Sequence, residues 1–276
     1  MAMIQLSKVR LEYLPRGEGP EKILFTHGFL SSGRIWRMVQ EALPADRYSS
    51  IAVCNRGAGE SDAPPELSDY GVEVFASDLH EVATQLGWRD FTLVGHSLGG
   101  ATATRFALDH PALLKGVVLL DPADPDGVEL PAGLSVDEAI DHGLAAIKTQ
   151  STAFNVDATA KDIPEDLLRD LGRDIANAPE RRLRGSLLSV FSQRMGDRLG
   201  DLKMPILMVG GDADRMIPPA TMVASWAKYP PGTGLHIWHG VGHSPNLDRP
   251  KELAALLRQF IEETVPARGP AFVAAG

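Results

Sequence analysis

The sequence predicts an α/β fold built on a mostly parallel sheet, and three observations carry that prediction. From residue 21 onward, short β-rich apolar runs alternate with longer stretches of helical period. Most of those runs are nearly continuous Ile, Leu and Val, the composition of central strands covered on both faces by helices. A G-x-S-x-G pattern at residues 95–99 stands between one such run, FTLV, and the helical stretch ATATRFALDH.

Taken in order, Ile4 to Leu6 and Val9 to Tyr13 read as an antiparallel hairpin at the sheet edge. Six further strands follow at Ile23 to Thr26, Ser50 to Cys54, Phe91 to Val94, Val117 to Leu120, Ile206 to Val209 and Leu235 to Trp238, giving an eight-stranded sheet. Between them, Val72, Phe75, Leu79, Val82 and Leu86 recur at helical spacing, with Asp69 as the expected cap and Gly87 as the terminator. From Pro122 to Gly200 the alternation stops and three or four helices are expected instead. Ser135 with Glu138 forms a capping-box pattern, Pro164 suits a first helical turn, and Leu183, Leu187, Phe191 and Met195 share one face. The expected organisation is therefore a core domain from residues 1–121 and 201–276, with a helical cap at 122–200 over one end of the sheet. The tail after Thr264 is expected to fray.

Composition narrows the partners. Of 276 residues, 44% are apolar and 23% charged, and 27 basic against 36 acidic side chains give a formal charge of −9. A nucleic-acid or anionic-membrane surface would work against that mean field, so neither partner is expected. The single cysteine, Cys54, excludes an intrachain disulfide framework and Cys-rich metal sites, and predicts a reducing, cytoplasmic setting. No run approaches the roughly 18 apolar residues of a membrane span, and the first residues lack an apolar signal region.

The chemistry gathers around Gly95-His96-Ser97-Leu98-Gly99-Gly100. Glycines in this pattern relieve crowding at a sharp strand-to-helix turn, so that the serine hydroxyl stands exposed at the carboxyl edge of the sheet. A serine hydroxyl is a weak nucleophile and needs a histidine base held by an acid. The loop after the Ile206 strand offers Asp212 and Asp214, and Asp121 ends the Val117 strand as a third acid. His243 follows the last strand on a Gly-flanked loop, whereas His236 and His239 read as sheet residues. His27 reads as a loop-shaping hydrogen-bond partner, and His96 is expected to point away from the reacting centre. The Asn55 to Ser61 loop lacks the G-x-x-x-x-G-K-[ST] phosphate pattern, and no H-E-x-x-H spacing occurs, so neither a metal nor a cofactor is expected.

These landmarks resemble the α/β-hydrolase family over residues 5 to 263. The matching segments are His27-Gly28-Phe29, the loop from Asn55 to Ser61, Gly95 to Gly100, Gly211 to Pro218 in the form G-x-x-D-x-x-x-P, and Gly240-Val241-Gly242-His243. The resemblance implies an α/β-hydrolase fold in which Ser97 is the nucleophile, His243 the base and Asp214 the acid. It further implies an oxyanion hole made by the backbone amides of Phe29 and Leu98, whose side chains face the substrate. Phe154, Leu187, Phe191 and Met195 of the cap are candidates to line an apolar pocket, an enclosure that disfavours ionic groups.

The expected activity is a cofactor-independent serine hydrolase of a small, largely apolar carboxylic ester or lactone. A serine at position 97 argues against the dehalogenase and epoxide hydrolase chemistry that uses a carboxylate there. Alternatives within the fold are a carbon–carbon bond hydrolase of ring-fission diketones, an amidase or a perhydrolase. Outside enzymology, the alternative is a ligand-binding receptor. Substrate identity, stereoselectivity and oligomeric state are left open by the sequence.

Overall fold

A computed structural model of the protein describes residues 2–128, 130–150 and 162–264. Its eight strands are β1 (Ala2–Gln5), β2 (Arg10–Arg16), β3 (Glu21–Thr26), β4 (Tyr48–Val53), β5 (Phe91–His96), β6 (Leu114–Leu120), β7 (Ile206–Gly211) and β8 (Gly234–Trp238). They form one sheet in the order β1-β2-β4-β3-β5-β6-β7-β8. The hairpin strands β1 and β2 pair antiparallel, β2 joins β4 antiparallel, and every later pair is parallel.

The period-two pleat sends alternate residues into two cores. Leu24, Val53, Leu93, Val117 and Leu119 face helices α2 (Val72–Gln85) and α3 (Leu98–Asp109), which supply Phe75, Leu79, Val82 and Phe106. Ile23, Phe25, Ala52, Val94, Val118 and Leu120 face the other way. They meet Trp36, Val39 of α1 (Arg37–Ala42), and Leu253 and Leu257 of α9 (Pro250–Gln259). Covering on both faces explains why the central strands carry few polar residues.

The chain crosses from β4 over β3 to reach β5, so the sheet changes winding direction between β3 and β5. Loops leaving the carboxyl ends of two such strands diverge and open a crevice, the usual ligand position in open parallel sheets. Ser97 and the His27-Gly28-Phe29 segment both lie there.

Three helices stand between β6 and β7 among the described residues: α4 (Val136–Gln150), α5 (Glu165–Ala176) and α6 (Glu180–Ser192). The capping box forms at α4, where Ser135 N–H donates to Glu138 Oε2 at 2.9 Å and Glu138 N–H to Ser135 Oγ at 3.2 Å. Leu167 and Leu171 seat α5 in the core around Trp36. Ile140, Leu144 and Leu183 form a small separate core with Leu30 of the loop after β3. Helices α7 (Pro219–Trp226) and α8 (Pro245–Asp248) complete the described set.

Local expectations need correction at three points. Asp69 does not cap α2, because residues Leu67–Tyr70 form a 3-10 turn and Gly71 precedes the helix. Its carboxylate instead meets Arg56 at 2.9 Å, an ion pair that sequence spacing does not reveal. Gly87 does end this helix, in the left-handed conformation at φ +64°. Pro164 sits just before α5 rather than within its first turn. Finally, α6 stops at Ser192, so Met195 leaves the Leu183–Leu187–Phe191 stripe and packs in the core beneath the sheet.

Candidate active site

The turn from β5 into α3 is as sharp as the glycine pattern demands. Ser97 has φ +54° and ψ −117°, a backbone conformation that costs a non-glycine residue about 1–3 kcal/mol. Its N–H donates to Leu120 O at 2.8 Å and its carbonyl accepts from Gly100 N–H at 2.8 Å and Ala123 N–H at 3.1 Å. The turn is thus pinned to the end of β6. A Cβ on Gly99 would lie 2.6 Å from Thr26 O and 2.7 Å from His27 O, so only glycine lets α3 start this close to β3.

The same constraint draws the loop after β3 towards Ser97. A Cβ on Gly28 would lie 2.9 Å from His96 Nδ1 and 3.1 Å from Ser97 Cβ. Phe29, the next residue, therefore comes beside the serine. Leu98 is the first residue of α3, where an amide has no acceptor within its own helix and points outward with the positive end of the dipole.

His27 shapes this loop as expected. Its Nε2 accepts from Asn55 N–H at 3.0 Å, which leaves the proton on Nδ1 to be donated to Gly28 O at 2.8 Å. Burial, with the nearby Arg182 charge adding to it, lowers its pKa to about 3 and keeps the ring neutral.

Asp214 and His243 come from the loops after β7 and β8 and meet in the interior. Asp214 Oδ2 accepts from His243 Nδ1 at 2.7 Å, with both side chains almost wholly buried. The other oxygen, Oδ1, accepts from Met216 N–H at 2.7 Å and Ile217 N–H at 3.0 Å. Burial opposes its charge, but the His243 hydrogen bond and these two amides hold Asp214 below the ordinary carboxylate range. Asp212 takes a different place. Its exposed carboxylate accepts from His239 Nδ1 and Gly240 N–H, each at 2.7 Å. His239 accordingly lies just beyond β8 on the surface, not in the sheet.

Two neighbours depart from the sequence reading. His96 does not turn away from this centre: its Nε2 bonds His243 O at 2.7 Å and the two rings lie 5.0 Å apart. Asp121, the third acid that the sequence offers, packs against Asp214, fully buried and with φ +38°. Asp121, Asp214 and His243 each offer an ion-ligating atom within 4.8 Å of the others, although Asp214 and His243 use theirs on each other.

Sequence reasoning also missed Arg182 of α6, because a lone arginine in a helix carries no motif. It is buried, burial lowers its pKa to about 10, and it donates to Ser31 O at 2.8 Å and Gly57 O at 3.3 Å. It thereby ties α6 to the loop that carries Phe29. Beside it, Arg34 joins Glu12 at 2.7 Å and Asp174 of α5 at 3.0 Å, a second buried tie between these helices and the sheet.

A cavity of about 1200 Å³ brings Ser97, His243, Phe29, Leu98, Leu187 and Phe191 to one wall system. Asp124, Asp126, Arg194 and Lys228 line it as well, with Lys228 paired to both aspartates at 2.7 and 3.0 Å. Phe154 lies outside the described residues.

With this geometry in hand, comparison with known proteins places the chain. The family model described as alpha/beta hydrolase fold matches residues 22–250, and the chain belongs to that family. It is 28% identical over 248 residues to non-heme chloroperoxidase CPO-A1 of Kitasatospora aureofaciens, covering 85% of this chain and 89% of that one. Among solved structures it is similar to Est816, described as an N-acyl homoserine lactone degrading enzyme. That match has 27% identity and a TM-score of 0.79, and covers 94% of this chain and 100% of the other. An esterase from Exiguobacterium antarcticum shares the fold at 23% identity and a TM-score of 0.80, covering 94% and 98% of the two chains. Among the described residues, no helix is long and apolar enough to cross a membrane.

Proposed function

We propose that the protein is a serine hydrolase that cleaves a small, largely apolar carboxylic ester or lactone through an acyl-enzyme. The observation carrying this reading is the 2.7 Å Asp214–His243 bond beside a cavity onto which both His243 and the strained Ser97 open. Because Nδ1 of His243 is engaged with Asp214, Nε2 is the nitrogen that takes the proton in this mechanism.

In this mechanism the Ser97 hydroxyl attacks the carbonyl while His243 takes its proton. The resulting oxyanion receives the amides of Phe29 and Leu98, strengthened by the α3 dipole. A preorganised donor of this kind lowers the barrier by about 3 kcal/mol. His243 then protonates the leaving alcohol, and a water that it deprotonates releases the acid. Asp214 stays ionised throughout and holds the imidazole tautomer. Helices α4 to α6 act as the cap, with Leu187 and Phe191 supplying apolar walls for the acyl or alcohol group.

The likeness to Est816 supports lactones beside open esters. The chloroperoxidase relative supports a second reading, in which hydrogen peroxide replaces water in the second step and releases a peracid.

A panel of p-nitrophenyl esters, lactones, anilides and ring-fission diketones, run with and without hydrogen peroxide, tests these readings together. Turnover of the esters or lactones with fluorophosphonate labelling confined to Ser97 is the expected result. Binding without turnover or labelling would instead mark a receptor.

A further inference from the structure

Asp121 occupies a built position. It follows β6 directly, its N–H donates to Val209 O at 2.9 Å, and a Cβ on Gly210 would overlap its Oδ1, so the glycine makes room for the carboxyl. The residue is wholly buried, and its carboxyl lies within 4.8 Å of the ligating atoms of both Asp214 and His243. Among the described residues, neither oxygen has a hydrogen-bond partner in good geometry. Two carboxylates in contact away from water do not both ionise, because each charge raises the cost of the other.

The surroundings decide which one keeps the proton. Asp214 accepts from Met216 N–H, Ile217 N–H and His243 Nδ1, all of which favour its charged form. Asp121 is buried and faces the Asp214 charge; the Gly211 amide opposes these more weakly, and the charge of Asp248 adds least of all. We infer that Asp121 keeps its carboxyl proton and through it donates a hydrogen bond to Asp214, making Asp121 a positioning residue behind the Asp214–His243 pair. Burial first, and then the charge of Asp214, push its pKa well above the usual carboxylate range, in agreement with that assignment.

The consequence is twofold. The Asp121 O–H supplies a further donor to Asp214 and fixes the plane in which Asp214 meets His243. It also keeps the carboxyl pair at a single negative charge, so His243 faces one anion rather than two. The sequence reading of Asp121 as an alternative acid is thereby replaced by a role that requires the protonated form.

The inference rests on the proposed catalytic use of Asp214 and His243, so its test includes a readout independent of turnover. The full chain would be compared with Asp121→Asn, which keeps a neutral donor, and Asp121→Leu, which removes it. Asp121→Asn is expected to stay within about threefold of the parent kcat/KM with an unmoved acid limb, whereas Asp121→Leu loses about tenfold, mainly in kcat. In the parent, isotope-edited infrared spectroscopy of labelled aspartate at pH 7 should show a protonated-carboxyl C=O band that Asp121→Asn abolishes. An acid limb displaced to lower pH in Asp121→Asn, or an asparagine variant as impaired as the leucine variant, would overturn the assignment. Absence of the carboxyl band from the parent would do so even if no substrate is turned over or neither variant folds.

Discussion

His96 Nε2 lies 2.7 Å from the carbonyl oxygen of His243, so the residue just before Ser97 holds the backbone of the residue that bonds Asp214. The carbonyl can only accept, which places the His96 proton on Nε2, while Nδ1 faces Gly28 and has no hydrogen-bond partner among the described residues. Burial, and next the neighbouring His243, lower the pKa of His96 to about 3. One neutral imidazole thus links the β5 turn, the loop after β3 and the loop after β8.

That linkage makes stability pH-dependent in a defined direction. His27 and His96 titrate near 6.5 when unfolded and near 3 when folded, so between those values the unfolded chain binds more protons. Stability is therefore fully present above about pH 6.5 and is lost as pH falls towards 3, with a slope of about 1.4 kcal/mol per pH unit for each histidine. Urea denaturation at pH 7, 5.5 and 4.5 measures the slope. His27→Gln and His96→Gln should each flatten it, and an unchanged slope would show that these rings do not carry it.

For the proposed nucleophile and base, Ser97→Ala and His243→Ala should each lower kcat by several orders of magnitude. The double variant should lose little more than either alone, because the two side chains act in one step. Burst kinetics with a chromogenic ester read this directly, and multiplicative losses would mean that the residues act separately.

The two aspartates after β7 should behave oppositely. Asp214→Asn is expected to cost about 10⁴ in kcat through the wrong imidazole tautomer. Asp212→Asn should cost less than about threefold, because its partners His239 and Gly240 are on the surface and surface substitutions perturb little. Parallel steady-state kinetics of the pair would assign the acid, and the reverse order would move it to Asp212.

Arg182 offers a test of the tie between α6 and the loop after β3. Arg182→Met leaves the Ser31 and Gly57 carbonyls without this donor in a buried setting, at a cost of about 1–3 kcal/mol for each unsatisfied group. Thermal and chemical denaturation should register that loss. Because Ser31 stands two residues from Phe29, kcat should fall more than KM rises. A stability loss with unchanged kcat would show that the tie does not position the proposed oxyanion donors.

Much of this architecture was legible beforehand because it depends on local pattern. Continuous apolar runs mark strands buried on both faces, and the glycines at 95 and 99 belong to a turn that tolerates no side chains there. The capping box at Ser135 and the glycine stop at Gly87 likewise involve residues a few positions apart. The misplaced features share the opposite property. Asp69 reads as the cap of α2 in the sequence, whereas the fold brings it to Arg56. Met195 fits the α6 period numerically but falls after the helix has ended, where the chain turns back beneath the sheet.

At the site, local motifs are enough to show which strand ends carry a hydroxyl, an imidazole and carboxylates, since the succession of strands and the loop patterns are written along the chain. It is the folded arrangement that brings Asp214 to His243 while Asp212 turns to His239, sets His96 against the His243 loop, and stands Asp121 against Asp214. Which charges share a buried space, and therefore which protons are held, depends on distances between strands that no spacing along the chain encodes.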